Sequence, residues 1–421
     1  MHVRRTVLRF LRTQPRGLRF LSLVGVCLGL ATAVTSGGLA ARSGVLVTGA
    51  PQVAAIAGGG FAGYELLSDG HVWAWGDDLE GQIGPGGHWQ FSSTPVAVPG
   101  LRHIVAVTSG ENTAYALARN GGVWAWGSNG QDELGNHVWA SREIPVRVRL
   151  PGGITSIAAG AFTAYALRRD GTLWAWGDDA WGQLGTEGAD VTTGTPRRVK
   201  RLADVVAVAA GDGNAYALRR NGTVWAWGDG SSGQLGDRCT APQGSGTGGA
   251  VCPEKRVPVK VRTLSDVVAI ASGAFTAYAL RRDGTVWAWG DDDSDEVGSR
   301  TRVPYVPEPV RVGGLAHVVA ITAGAYSAYA LLRDGTVRSW GRGVEGELGD
   351  GSIANRAVPT QVANLAGVVK ISGGGESAYA LDRQGRLWAW GAGAYGQLGN
   401  GYRLSLDEPT RVRTVPGAAP P

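Results

Sequence analysis

Seven times along the chain a short apolar and aromatic run closes on a glycine. His71-Val72-Trp73-Ala74-Trp75-Gly76 is the first, and Val123 to Gly127, Leu173 to Gly177, Val224 to Gly228, Val286 to Gly290, Val337 to Gly341 and Leu387 to Gly391 follow. The closing glycines are 51, 50, 51, 62, 51 and 50 residues apart. A period of this length belongs to supersecondary units that cannot bury their faces alone and gain a core only beside one another. It replaces the two or three unrelated domains that 421 residues would otherwise suggest.

Each unit reads as four short strands. In the fifth they begin with Val267-Val268-Ala269-Ile270-Ala271 and Ala277-Tyr278-Ala279-Leu280. Arg282-Asp283-Gly284 turns the chain into Val286-Trp287-Ala288-Trp289. Aromatic and small residues alternate with the period of two that suits a strand with differently filled faces. Asp-Gly or Asn-Gly supplies this turn in six units, as at Asn120-Gly121 and Asp170-Gly171, and Gln384-Gly385 in the seventh. These pairs predict a type I′ hairpin, whose two central residues need positive φ. Pro258-Val259-Lys260-Val261 and Pro309-Val310-Arg311-Val312 read as fourth strands, where proline suits an edge. The expected fold is all-β, a seven-bladed β-propeller of four-stranded blades. Thirteen of the 16 tryptophans lie in the repeated run, which assigns them to blade packing and not to chemistry.

The segment after the third strand is more specific. Gly177-Asp178-Asp179-Ala180-Trp181-Gly182-Gln183-Leu184-Gly185 recurs as Gly228 to Gly236 and Gly391 to Gly399. With the preceding tryptophan, this resembles the signature of the regulator of chromosome condensation repeat family over about Val53 to Val415. The resemblance implies a seven-bladed propeller. The family's known roles are nucleotide exchange on small GTPases, ubiquitin-ligase scaffolding, plant ultraviolet sensing and inhibition by secreted bacterial proteins. Three departures stand out. Thr113, Thr163, Asn214, Thr276, Ser327 and Ser377 occupy the place of the family's histidine. Asp132 and Asp295 replace the turn glycine, and Arg338-Ser339-Trp340 interrupts the double tryptophan.

The formal charge of +5 invites a nucleic-acid reading, but its origin is local. Residues 1–40 hold Arg4, Arg5, Arg9, Arg12, Arg16 and Arg19 and no acid, and an apolar run follows from Phe20 to Val34, with no charge until Arg42. That pattern reads as an export signal or an uncleaved membrane anchor, with the body on the outer side. Arg4-Arg5 followed by apolar residues and Arg9 also resembles a twin-arginine signal. Setting the six arginines aside leaves 34 basic residues against 35 acidic ones. The expectation is therefore a bacterial exported propeller over 41–421, secreted or cell-surface, with no nucleic-acid partner. Membrane contact is expected only through the N-terminal helix.

One spacing is irregular. From the Leu-Gly glycine to the proline of the fourth strand, six units hold nine or ten residues, whereas Gly236 to Pro258 holds 21. The excess is bracketed by Cys239 and Cys252, the two cysteines outside the leader. In an exported protein such a pair predicts a disulfide, here stapling a finger from Thr240 to Val251.

Candidate chemistry is thin. His71, His88, His103, His137 and His317 neither recur by unit nor sit at metal-ligand spacing. Asp291, Asp293 and Asp295 imitate the start of a calcium loop, but Glu296 and Arg302 stand where its glycine and last acidic ligand belong. No nucleophile adjoins a base, so no catalytic residue, metal site or cofactor is expected. The candidate partner-binding residues are aromatic and lie outside the repeated run: Trp89, Phe91, Trp139, Trp181, Tyr395 and Tyr402, in units one, two, three and seven, which ring closure makes neighbours. The function expected is a non-catalytic extracytoplasmic scaffold that binds another protein through its blade loops. A secreted inhibitor of a bacterial enzyme is one alternative, and nucleotide exchange on a GTPase is another.

Overall fold

The computed structural model describes residues 51–85, 90–137, 139–188, 191–239, 252–300 and 303–413. The leader, Trp89, His88 and the segment from Thr240 to Val251 lie outside them. Seven four-stranded antiparallel sheets form the described chain, each built from consecutive strands. The blades cover residues 53–97, 104–147, 154–198, 205–260, 267–311, 318–361 and 368–411. In blade five the strands are Val267–Ser272, Thr276–Arg281, Val286–Asp291 and Tyr305–Arg311; the first three exceed their apolar kernels by one or two residues, and the fourth begins four residues before Pro309 and stops before Val312. Among the described residues no helix is long and apolar enough to cross a membrane.

The hairpin between the second and third strands departs from the type I′ expectation. Leu280 pairs with Val286, and the Arg281 N–H bonds the Thr285 carbonyl at 2.9 Å, so the loop holds three residues. Gly284 N–H returns to the Arg281 carbonyl at 2.9 Å, and only Gly284 has positive φ, at 80°. This is a type I turn closed by a left-handed glycine, and Asp283 keeps ordinary φ. Its carboxylate accepts from the Thr285 N–H at 3.0 Å and hydroxyl at 2.6 Å, which holds its pKa below the usual carboxylate range.

The glycine that closes each repeated run has its own cause. Gly290 has a φ of 112°, and a Cβ there would overlap the Phe275 carbonyl oxygen. The pairing to the fourth strand shifts register at this glycine in every blade, for example between Ala288 and Gly290. A side chain would block both features.

Two sets of bonds join blade to blade. Around the axis, Gly60 N–H bonds the Gly110 carbonyl and Glu111 N–H that of Ala161, and the series runs through Ala161, Asp212, Ala274 and Ala325 to Gly375, which bonds Gly59. Further out, the residue before Leu-Gly is the joint. Tyr165 and Trp227, from blades three and four, both donate to the Gln183 carbonyl, at 2.6 Å each, and their rings meet edge to face. Gln82, Glu133, Gln234, Glu296, Glu347 and Gln397 serve the other six interfaces in the same way. All seven of these tryptophans are fully buried. A buried indole or phenol needs a partner, and one carbonyl with two lone pairs supplies both.

Because the strands alternate in direction, each blade's second-to-third hairpin and the linkers between blades share one end of the ring, the turn face. The first-to-second and third-to-fourth connections share the other, the loop face.

Candidate interaction face

The loop face is shaped by the same residue that joins the blades. The Gln183 carboxamide oxygen accepts the Trp181 N–H at 2.8 Å, and its nitrogen donates to Asp178 at 2.8 Å. Asp179 accepts the Leu184 N–H at 3.0 Å. These bonds fix the turn that presents position 181, and the equivalent backbone bond recurs in all seven blades, as from Tyr395 to Gln397 and from Glu345 to Glu347. A rigid turn can hold an exposed side chain at small further entropic cost.

The expected aromatics divide into three groups. Trp139 and Tyr402 stand in solvent, 67% and 63% exposed. Trp181 and Tyr395, 38% and 41% exposed, lie against the next blade. Tyr395 meets Phe61 edge to face with centroids 5.3 Å apart. Trp181 lies over Gly213, where a Cβ would come within 3.0 Å of the indole. Phe91 is not a loop residue: it opens the fourth strand of blade one, paired with Asp77, and Arg403 covers its ring at 4.1 Å.

Other features carried no aromatic loop signal. Half-buried Phe61, Phe162, Phe275 and Tyr326 gather with Ala161, Ala274 and Ala325 where the first and second strands connect. Exposed aliphatics Leu79, Val191 and Leu404 add to the apolar rim of the blades that hold the aromatics, and Val344 and Ile353 extend it to blade six. The available signal was positional: 61, 162, 275 and 326 each follow the small residue after Gly-Gly or Ser-Gly-type turns by the same step in the repeat.

The face is acidic, and its carboxyls are perturbed for structural reasons. Burial pushes Asp78 and Glu133 up to about 7 and Asp179 to about 6, against the turn N–H bonds that pull the other way. Glu347 also rises to about 7 by burial despite the Arg342 guanidinium 3.5 Å away. Glu296 is held well above the usual range by burial and by Asp291. In each of these groups burial outweighs the turn hydrogen bonds, which pull the other way. Among the described residues no group of three or more His, Cys, Asp or Glu side chains could hold a metal. Thr113, Thr163, Asn214, Thr276, Ser327 and Ser377 are buried, with Thr276 donating to the Asp291 carbonyl at 2.9 Å. Asp132 and Asp295 take φ of 66° and 67°, the turn-glycine conformation.

Cys239 and Cys252 face each other with Cα atoms 5.5 Å apart, within the span of a disulfide. Cys252 is buried beside Gly230, so the base of the insertion is pinned to the blade-four turn.

Comparison with known proteins follows this geometry. The RCC1-like domain family matches residues 205–419, and regulator of chromosome condensation (RCC1) repeats match 69–117, 120–167 and 170–218. Human E3 ubiquitin-protein ligase HERC2 is 32% identical over 302 residues, 69% of this chain but 6% of that protein. The Arabidopsis thaliana mitochondrial RCC1 domain-containing protein RUG3 is 30% identical over 306 residues, 70% of this chain and 55% of that protein. The chain thus spans only part of these relatives, which are eukaryotic. Human WBSCR16 shares the fold with a TM-score of 0.72 at 22% identity, covering 83% of this chain and 94% of that one. Prp20p of Saccharomyces cerevisiae does so with a TM-score of 0.70 at 22% identity, covering 87% of each. Seven repeats, their joints and these matches lead to one assignment: the chain belongs to the regulator of chromosome condensation (RCC1) repeat family.

Proposed function

We propose that this protein is a non-catalytic propeller scaffold, acting outside the cytoplasm, that binds another protein through its loop face. The observation that carries the reading is the set of exposed aromatics, Trp139, Trp181, Tyr395 and Tyr402, on one face of a rigid ring, the last three held by hydrogen-bonded turns. Large aromatic side chains on a fixed scaffold are what protein interfaces use as anchors. Acidic residues around them favour a partner with basic groups at its rim. Prp20p, reported with binding properties to Gsp1p and histones, and its complex with Kap60 give the fold a precedent for protein binding. The arginine-rich, acid-free leader supports export of a bacterial protein, secreted or anchored. An inhibitor of an enzyme would use the same face and would have to be released from the cell.

The test is affinity capture with the full chain beside a Trp139→Ala, Trp181→Ala, Tyr402→Ala variant, with near-ultraviolet circular dichroism as the check on folding. Loss of the captured partner in the folded variant is expected. Unchanged capture would refute the loop face as the binding site. Recovery of the protein from the cytosol, with neither medium nor membrane fraction enriched, would refute export.

A further inference from the structure

The turn face has a different character from the loop face. We propose that it is a basic docking surface for an anionic lipid bilayer, separate from the protein-binding face. The hairpins between second and third strands open with Arg119, Arg169, Arg220, Arg282, Arg333 and Arg383 in blades two to seven, and with Ser68 in blade one. All six arginines are exposed, and none forms an ion pair among the described residues. Their backbones are fixed alike. Each donates its N–H to the carbonyl just ahead of its blade's first strand, as Arg119 to His103 and Arg220 to Asp204, both at 2.9 Å. The backbones that carry the guanidiniums are therefore held alike at the hairpins of six blades. A second tier flanks the buried valine after the outer strand, as Arg147 and Arg149 do about Val148. The same face carries Asp69, Asp170, Asp204, Asp266, Asp283 and Asp334, and Asp170, Asp204 and Asp266 pair with Arg168, Arg219 and Arg281, so the six hairpin arginines are bases in addition to those already paired.

The chain outside the structure points to the occupant. Blade one begins on the turn face, where the Gln52 carbonyl accepts the Ser68 N–H at 2.8 Å and the Gln52 side chain reaches the Gly385 hairpin. Arg42, which ends the uncharged stretch, lies only about ten residues before Gln52, a reach of at most about 35 Å. Bases beside an apolar segment are the pattern that recognises anionic lipid headgroups, because both lower the free energy at the same surface. A single-stranded nucleic acid would need stacking groups between the bases of the face, and none of the seven hairpin loops contains an aromatic residue.

Flotation of the full chain with vesicles tests this. Phosphatidylcholine vesicles are compared with vesicles containing about one-third phosphatidylglycerol, at about 0.05 M and about 0.5 M salt. At least a tenfold preference for the anionic vesicles is expected at low salt, and its loss at high salt. Substituting the six hairpin arginines by glutamine should abolish that preference and leave any binding to neutral vesicles intact. Should the six-fold variant fail to fold, Arg169→Gln with Arg220→Gln and Arg282→Gln should reduce the preference at least threefold. Equal partition into the two vesicle types, or a folded variant that keeps the preference, overturns the proposal. So does duplex DNA that displaces the protein from anionic vesicles at equal phosphate, which would make nucleic acid the partner.

Discussion

Trp75 of blade one and Tyr379 of blade seven meet edge to face, their centroids 6.0 Å apart, and both donate to the Gln397 carbonyl, at 2.8 and 2.6 Å. Among the described residues no strand crosses from one terminus to the other to close this ring, since every sheet is built from consecutive strands. The seam between first and last blade is therefore held by the same side-chain joint as the six interfaces inside the chain. Closure costs chain entropy only once, and the joint must offset it locally.

If the seam equals the other interfaces, Trp75→Phe and Trp227→Phe should destabilise the protein by the same amount, about 1–2 kcal/mol, through a lost hydrogen bond and a smaller buried ring. Urea unfolding of both variants measures this. A much smaller effect at Trp75 would mean that the seam is held elsewhere.

Glu296→Gln should raise stability at alkaline pH. Blades one, three and four pair an amide with the neighbouring carboxylate, as Gln82 with Asp77 at 2.9 Å, whereas Glu296 faces Asp291. Its folded pKa lies above the unfolded one, so the native state keeps a proton that the unfolded chain releases. The resulting stability is full at low pH and is lost as pH rises through the folded pKa. Thermal melting should show the variant above the parent at pH 8 and the gap closing toward pH 4. Glu133→Gln should behave alike, with the window running from about 4.5 to about 7 and a gain of about 2–3 kcal/mol at its upper end.

Asp295→Gly should stabilise by about 1 kcal/mol, because glycine accepts the φ of 67° without a Cβ clash. Asp132→Gly should be close to neutral. There the carboxylate accepts the Thr192 hydroxyl at 2.8 Å, and its loss offsets the relief of strain. Paired denaturation curves separate the two, and equal gains would contradict the account of Asp132.

Intact mass of unreduced protein recovered after export should lie two hydrogens below that of the reduced chain, reporting the Cys239–Cys252 bond. Replacing both cysteines by serine should cost about 3 kcal/mol by freeing the loop in the unfolded state. Two free thiols in the exported protein would remove the staple from the picture.

The period and the strands were legible before any coordinates, because each rests on short-range rules, whereas the joint at the Gln183 carbonyl was seen only in the structure. Alternation along Ala277 to Leu280 forces a strand, and Gln or Glu before an apolar residue and glycine recurs in all seven units, as Gly-Gln-Leu-Gly in three of them. Turn type was less legible: Asp283-Gly284 suits two hairpins, and the count of loop residues, set by the pairing of Leu280 with Val286, chose between them. Glu65 shows the limit more sharply. In sequence it stands where six other blades have alanine, in a strand otherwise like its neighbours. In the structure it is buried, one carboxyl oxygen lacks a partner, and burial pushes its pKa up to about 7. What the sequence determined by itself was the repeating unit and the number of its copies. Only the tertiary structure decided that Tyr395 rests on Phe61, that Phe91 lies under Arg403, and that the exposed hairpin arginines of six blades share one face. A face is the sum of strand directions over a closed ring, and no local pattern carries that sum.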